Sequence, residues 1–289
     1  MAAPIAILGA NGVYGRHLTP MLIAAGHSVR AIVRRPEAAN AARACDADVK
    51  VADIFDASAL RSALAGCDLC INLATSLPGP RGRGDYDVND RVRREGVPIL
   101  IAACQAAGLQ RLLQQSIAMV GASGDILADE TAVYLSSADD AAGRAIRAAL
   151  EMEATVRASD LDWTILRGGL FYGPGTGFDE DWFTRAAAGK LRLPGDGSDF
   201  VSLVDISDMC AATVLVVTAR PSGQTLIVAD DAPARWRDVF GYVAALVGAP
   251  APQTGGRRGF PSFRMSNRRA RVLLGWRPHY FDYRAGLAR

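Results

Sequence analysis

Ile5-Ala6-Ile7-Leu8-Gly9-Ala10-Asn11-Gly12-Val13-Tyr14-Gly15-Arg16 is the stretch that decides the fold. An apolar run of strand length enters three glycines spaced GxxGxxG, and a helical pattern follows. Each glycine has a distinct physical task. Gly9 permits a tight turn, Gly12 lets the backbone approach a pyrophosphate, and Gly15 lets the helix pack close to the strand. The first N–H groups of that helix then face the anion. Gly9, Asn11, Gly12, Val13, Tyr14 and Gly15 are therefore candidate dinucleotide contacts. The bland alternative is a glycine-rich turn without a ligand.

Working outward, short apolar runs alternate with longer amphipathic segments for about 170 residues. Strands are expected at 5–8, 29–33, 49–52, 69–73, 112–115 and 163–166, with helices at 14–25, 57–65, 87–107 and 138–159. Gly26, Gly66 and Gly108 stand just past three of these helices, where a left-handed stop is wanted. This order predicts an α/β chain with a doubly wound parallel sheet of Rossmann type. Beyond residue 170 a glycine-rich loop leads to helices expected at 179–188, 205–219 and 235–247 and a strand at 225–228. Asp205 or Ser207 is a candidate cap for the second of these. We divide the chain into a nucleotide-binding domain over 1–170 and a smaller C-terminal substrate lobe over 171–289 that does not fold independently.

The second strand runs into Arg34-Arg35-Pro36. An acidic residue here would bond the ribose hydroxyls of NAD, whereas two arginines suit the 2′-phosphate of NADP. NADP is thus the expected cofactor, ahead of NAD, with a solvated arginine pair as the alternative.

Composition narrows the classes. The 289 residues are half apolar and 21% charged, an ordinary globular balance. No run reaches the roughly 18 apolar residues of a membrane span, and no signal peptide is visible, so the expected address is the cytoplasm. Residues 257–289 carry nine Arg and one Asp, a net of +8, against −6 for the rest. Such a tail can meet a phosphorylated small molecule or solvate a surface. It holds no recognised nucleic-acid motif, so no nucleic-acid partner is expected. The five Cys are odd in number, and the lone CxxC, Cys67 to Cys70, runs into what reads as a buried strand; the three His are scattered. Neither a disulfide framework nor a metal site is expected.

On these residues the chain resembles the short-chain dehydrogenase/reductase superfamily, in the extended or atypical branch that includes nucleotide-sugar epimerases and dehydratases. Gly9-Ala-Asn-Gly12-Val-Tyr-Gly15 matches that branch's glycine motif. The resemblance implies adenine contacts at Asp53 and Ile54, and ribose contacts at Leu73, Ala74 and Thr75. It implies a catalytic Ser at Ser116 and a nicotinamide loop around Gly169 and Leu170, where Gly168 replaces the usual Pro. Val204-Asp205-Ile206-Ser207-Asp208 and Leu273-Leu274-Gly275-Trp276-Arg277-Pro278 resemble the start of the lobe helix and the end of many members. The resemblance covers nearly the whole chain and is specific for the superfamily, not for one reaction. Family members often dimerise through helices matching 87–107 and 138–159, so a homodimer is possible.

The family's chemistry rests on Tyr-x-x-x-Lys in the helix after the Ser, often with a Glu four residues further on. Two registers fit helix 138–159. With Glu151 in that place the pair falls on Gly143 and Arg147; with Glu153 it falls on Ala145 and Ala149. The chain's only lysines, Lys50 and Lys190, do not lie four residues after a Tyr, so the pair is missing in any alignment. Arg147 can hold a ribose or an anionic substrate but cannot act as a base. Tyr134 can reach the site on a loop, or can simply be a packing residue. Ser116, Tyr134 and Arg147 are the candidate catalytic residues, and loops 76–86 and 121–137 shape the pocket.

Three functions compete: an NADP-dependent reductase of a small molecule with an unusual proton source, a non-catalytic NADP(H) sensor or structural protein, and a nucleotide-sugar epimerase or dehydratase.

Overall fold

The computed structural model describes residues 3–80, 82, 84–138 and 140–289. Seven parallel strands form the central sheet: β1 (Ile5–Leu8), β2 (Val29–Val33), β3 (Asp48–Val51), β4 (Leu69–Asn72), β5 (Arg111–Ile117), β6 (Asp162–Gly168) and β7 (Gln224–Val228). Their order across the sheet is β7-β6-β5-β4-β1-β2-β3. The chain starts in the middle, winds outward to β3, returns to β4 and winds the other way. A crevice opens where the winding reverses, at the carboxyl ends of β1 and β4.

Helices cover both faces. On one side lie α1 (Val13–Ala24) and α6 (Ile206–Ala219), joined by a core that includes Leu18, Leu22, Met209, Val216 and Trp276. On the other lie α2 (Ala57–Leu64), α3 (86–106) and α4 (Ala141–Arg157), packed through Leu60, Leu100, Cys104, Met152 and Val156. Asp56, Asp140 and Asp205 cap α2, α4 and α6 by accepting backbone N–H groups of Ala59, Gly143 and Ser207. Gly26, Gly66 and Gly108 have φ of +87°, +75° and +75°, the left-handed stops that the sequence called for.

Helix α3 has a feature that the sequence reading lacked. Between Tyr86–Arg91 and Val97–Ala106 it passes through a π turn, Val92–Gly96, in which the Val97 N–H reaches back five residues to the Val92 carbonyl. Pro98, lacking an N–H and crowding the preceding turn, makes a regular α-helix unfavourable at this point.

The chain does not leave the sheet for good at residue 170. It crosses into the lobe, returns through α6 and β7, and departs again. The lobe is built from α5 (Phe178–Ala187) and α7 (Trp236–Leu246), held by Trp182, Trp236 and Phe240, together with short strand pairs and the C-terminal segment. The basic tail is bound to the body. Arg271 pairs with Asp231, Arg258 with Asp199, and Arg289 with the fully buried Asp205 at 2.6 Å. All five cysteines are free thiols, no metal-binding cluster occurs among the described residues, and none of their helices is long and apolar enough to cross a membrane.

Candidate active site

The first candidate residues converge as the topology requires. Gly9 (φ +82°) turns the chain at the end of β1, and a Cβ there would stand 3.0 Å from the Leu73 carbonyl and the Ala74 nitrogen. A Cβ on Gly15 would lie 2.5 Å from the Ala10 Cα, so only glycine lets α1 start this close to the turn. Gly12 is the N-cap of α1, and no side chain among the described residues caps the helix. Its first N–H groups are therefore aimed at the crevice with no side-chain acceptor, a cradle suited to a pyrophosphate. Tyr14 points the other way. Its ring is buried against Phe171, and its hydroxyl bonds Thr213 on α6, so its side chain is a packing element rather than a ligand contact.

Arg34 and Arg35 follow β2 beside this turn and are exposed. Arg35 makes only a 3.5 Å contact with Glu37, and Arg34 has no ion pair among the described residues. Asp53 stands at the end of β3, one carboxylate oxygen taken by the Phe55 N–H at 3.0 Å. Ile54 is buried against Gly96 in the π turn and serves packing. Leu73 continues β4, Ala74 is held by the Asn72 side chain at 3.1 Å, and Thr75 is exposed at the rim. A polar ladder crosses the floor: the Asn72 amide donates to Gln114 Oε1 at 2.8 Å, and Gln114 Nε2 to the Gln115 carbonyl. Gly169 approaches the Ser202 carbonyl so closely that a Cβ would stand 2.6 Å from it, and the Leu170 N–H bonds that same oxygen. The loop beyond is tied to α1 by His17 Nε2 and the Pro174 carbonyl at 2.8 Å.

The catalytic candidates fare differently. Ser116 ends β5 as expected but is fully buried, and its hydroxyl donates to Glu153 Oε1 at 2.7 Å. Its proton is engaged by this buried carboxylate. Glu153 also takes a two-point grip from Arg167, at 2.9 and 2.7 Å, and a 2.6 Å contact from Arg157. Burial pushes the Glu153 carboxyl up, but the hydrogen bonds and charge of Arg167, with help from Ser116 and Arg157, outweigh it and hold the group below its usual range. Arg147 donates to the carbonyls of Ser136 and Ala138 at 2.9 and 2.8 Å, so it secures the loop entering α4. Tyr134 is bonded through its N–H to the Val120 carbonyl, and its half-buried ring packs on the cluster of Ile117, Val120, Ile146 and Ala149.

These contacts distinguish the two acids of α4. Glu153 is the buried acid facing β5 and β6, while Glu151 lies on the surface paired with Arg94. One and two turns before Glu153, on its face of the helix, stand Ala149 and Ala145, both buried. Both present only methyl groups, and Tyr134 packs on the cluster that holds Ala149.

Two further features escaped the sequence reading. The Asn72–Gln114 ladder was hinted at only by polar residues ending apolar strands. Arg93, a buried arginine in the π turn, was hidden in a run of charge that reads as a solvated face.

A model of the NAD(P)H-binding family matches residues 9–191. The chain belongs to that family. A curated relative from a Streptomyces species, 3-diazoavenalumate denitrifying reductase, is 36% identical across 99% of both chains. The UDP-glucose 4-epimerase of Mycolicibacterium smegmatis is 27% identical, covering 94% of this chain and 92% of its own. Among solved structures, the dTDP-glucose 4,6-dehydratase of Streptomyces venezuelae with NAD bound superposes with a TM-score of 0.82. It is 22% identical and covers 99% of this chain and 94% of its own. The chain is therefore a member of the NAD(P)H-binding family with the Rossmann-type sheet of its structural neighbours.

Proposed function

We propose that this chain is an NADPH-dependent reductase whose substrate accepts hydride without needing a proton from the protein. One observation carries the reading: the buried Glu153 holds the Ser116 proton, and counting back from it by helical turns puts alanines, Ala149 and Ala145, where the Lys and Tyr would stand. Reduction of a carbonyl leaves an alkoxide, and losing its proton donor typically costs 10²–10⁴-fold in rate. An electrophile that carries a good leaving group has no such requirement. An aryl diazonium is one: hydride forms the new C–H bond, the C–N bond breaks, its electrons leave with N₂, and a neutral arene remains. No proton enters the balance. The name of the Streptomyces relative, a denitrifying reductase of a diazo compound, supports this class. Epimerisation of a sugar hydroxyl needs a base at the missing Tyr and fits the site less well.

NADPH, when bound, supplies the hydride. Gly9, Gly12 and the open start of α1 would hold its pyrophosphate, with Asp53 at the adenosine. Leu73, Ala74 and Thr75 would stand along the ribose, and Gly169 and Leu170 beside the nicotinamide. Arg34 and Arg35 would receive the 2′-phosphate. Replacing both arginines by alanine is expected to weaken NADPH binding by about 10–100-fold and leave NADH within about twofold, read by calorimetric titration. Preference for NADH in the unmodified protein would overturn the assignment.

The activity is tested with NADPH carrying deuterium on one face of C4 and a panel of arenediazonium salts, ketones and nucleotide sugars. Stereospecific deuterium transfer to the arene with N₂ release, above the rate without protein, is the expected result. Nucleotide binding with no turnover on any of them would favour the sensor. Tyr134→Phe separates this reading from carbonyl reduction with Tyr134 as the acid. On the diazonium, which takes no proton, kcat should change less than about twofold; turnover of a ketone by the unmodified protein that falls about 100-fold in the variant would instead make the Tyr134 hydroxyl a proton donor to a carbonyl substrate.

A further inference from the structure

Arg93 is a buried cation at 3% exposure in the π turn of α3. Its Nη1 donates to the Ala145 carbonyl at 2.7 Å, while its Nη2 is buried with no hydrogen-bond partner among the described residues. Among them it also has no carboxylate at ion-pair distance. The two acids that act on it are Asp90 and Glu153, and Glu153 is already engaged by Arg157 and Arg167. Arg93 and Arg167 are the buried guanidiniums here, and Arg157 reaches Glu153 from the surface. Burial lowers the affinity of Arg93 for its proton, with Asp90 and Glu153 opposing, to a pKa of about 10, so it remains charged at neutral pH.

Its place in the fold gives the charge a direction. Asn89, one turn earlier on α3, accepts the Ser76 N–H, two residues past the Ala74 nitrogen that meets Gly9. Ala145 and Glu153 lie on α4, and Glu153 bonds the ends of β5 and β6. Arg93 thus faces the start of α4, on a helix whose Asn89 holds the loop after β4. The π turn spans the switch point, with Gly96 against Ile54 beside Asp53 on one flank and Arg93 on the α4 flank. A dinucleotide bound across that point, adenosine over β2 and β3, has its nicotinamide on the Arg93 side.

We propose that Arg93 supplies a fixed positive charge that biases the bound cofactor toward its reduced form. The oxidised nicotinamide ring is cationic and the reduced ring is neutral, so a buried cation nearby disfavours only the former. The proposal rests on the cofactor reading above but not on the substrate. Arg93 acts through its field and its hold on Ala145, as a positioning residue.

The test is the ratio of Kd for NADP⁺ to Kd for NADPH, measured by calorimetric titration of the full chain. The unmodified protein is expected to bind NADPH more tightly. Arg93→Gln, which keeps a donor for the Ala145 carbonyl, and Arg93→Met, which keeps the packing, should each shrink the ratio about tenfold, the order expected of one unit charge screened at an effective dielectric of about 20. Arg93→Lys should preserve it. A purely structural role would weaken both forms equally and leave the ratio unchanged, which overturns the proposal. A ratio of one or less in the unmodified protein overturns it without any variant. Binding of neither nucleotide would instead sink the cofactor reading itself.

Discussion

Gly12→Val lowers NADPH affinity at least about 100-fold while the fold survives. The backbone at Gly12 is extended (φ −66°), a conformation open to any residue. A Cβ there meets only the Gly9 carbonyl at 3.2 Å. The new side chain would stand over the uncapped start of α1, where the pyrophosphate needs the backbone bare. Placing valine at a helix N-cap costs about 1 kcal/mol, so Tm should fall by no more than about 4 °C. Calorimetric titration and thermal unfolding measure the two effects separately. Gly15→Ala is the contrasting case: its Cβ collides with the Ala10 backbone at 2.5 Å, so stability and binding should fall together. Undiminished NADPH binding by Gly12→Val would remove the helix terminus from the cofactor site.

Glu153→Gln is the variant expected to damage the fold most. It keeps the shape of the side chain but leaves the guanidinium of Arg167, 2% exposed, without its counter-charge. Breaking a buried pair from one side costs about 3–5 kcal/mol, or about 10 °C in Tm for a chain of this size. The pH dependence has a definite sign. The folded carboxyl titrates below the value of 4.5 expected when unfolded, so its stabilisation is complete above that pH. It is lost as pH falls through the folded value. The unmodified protein should therefore lose part of its stability on acidification that Glu153→Gln has already lost. Glu151→Gln, on the surface two residues away, should leave Tm and its pH profile unchanged. Equal behaviour of the two variants would refute the assignment of the α4 register.

The sheet was legible because its signal is local. Apolar runs, helical periodicity and stop glycines each declare themselves within a few residues, and the central elements lie within a few residues of the expected bounds. The glycine cradle was legible for the same reason. What escaped depends on direction. A sequence places Ser116 at the end of β5 but does not say that its hydroxyl turns inward to Glu153. It places Tyr14 beside the pyrophosphate turn but not its ring against Phe171 and Thr213. Arg93 sits among Arg91, Arg94 and Glu95 and reads as one more solvated charge; in the fold it lies in the π turn and is buried. The missing acid pair was certain from composition, since both lysines lie elsewhere. The choice between Glu151 and Glu153 needed the fold.

The return of the chain to the sheet governs how it can be dissected. A fragment ending at residue 170 would keep the glycine turn but lose β7, leaving the apolar strand β6 as a raw edge that invites other chains to pair with it. It would also strip α6 from α1 and expose Leu18 and Leu22. The complementary fragment would hold a strand with nothing to pair against. A library of truncations should thus yield aggregated pieces on both sides of that cut. The chain should unfold in one cooperative step, two bodies in space but a single unit in thermodynamics.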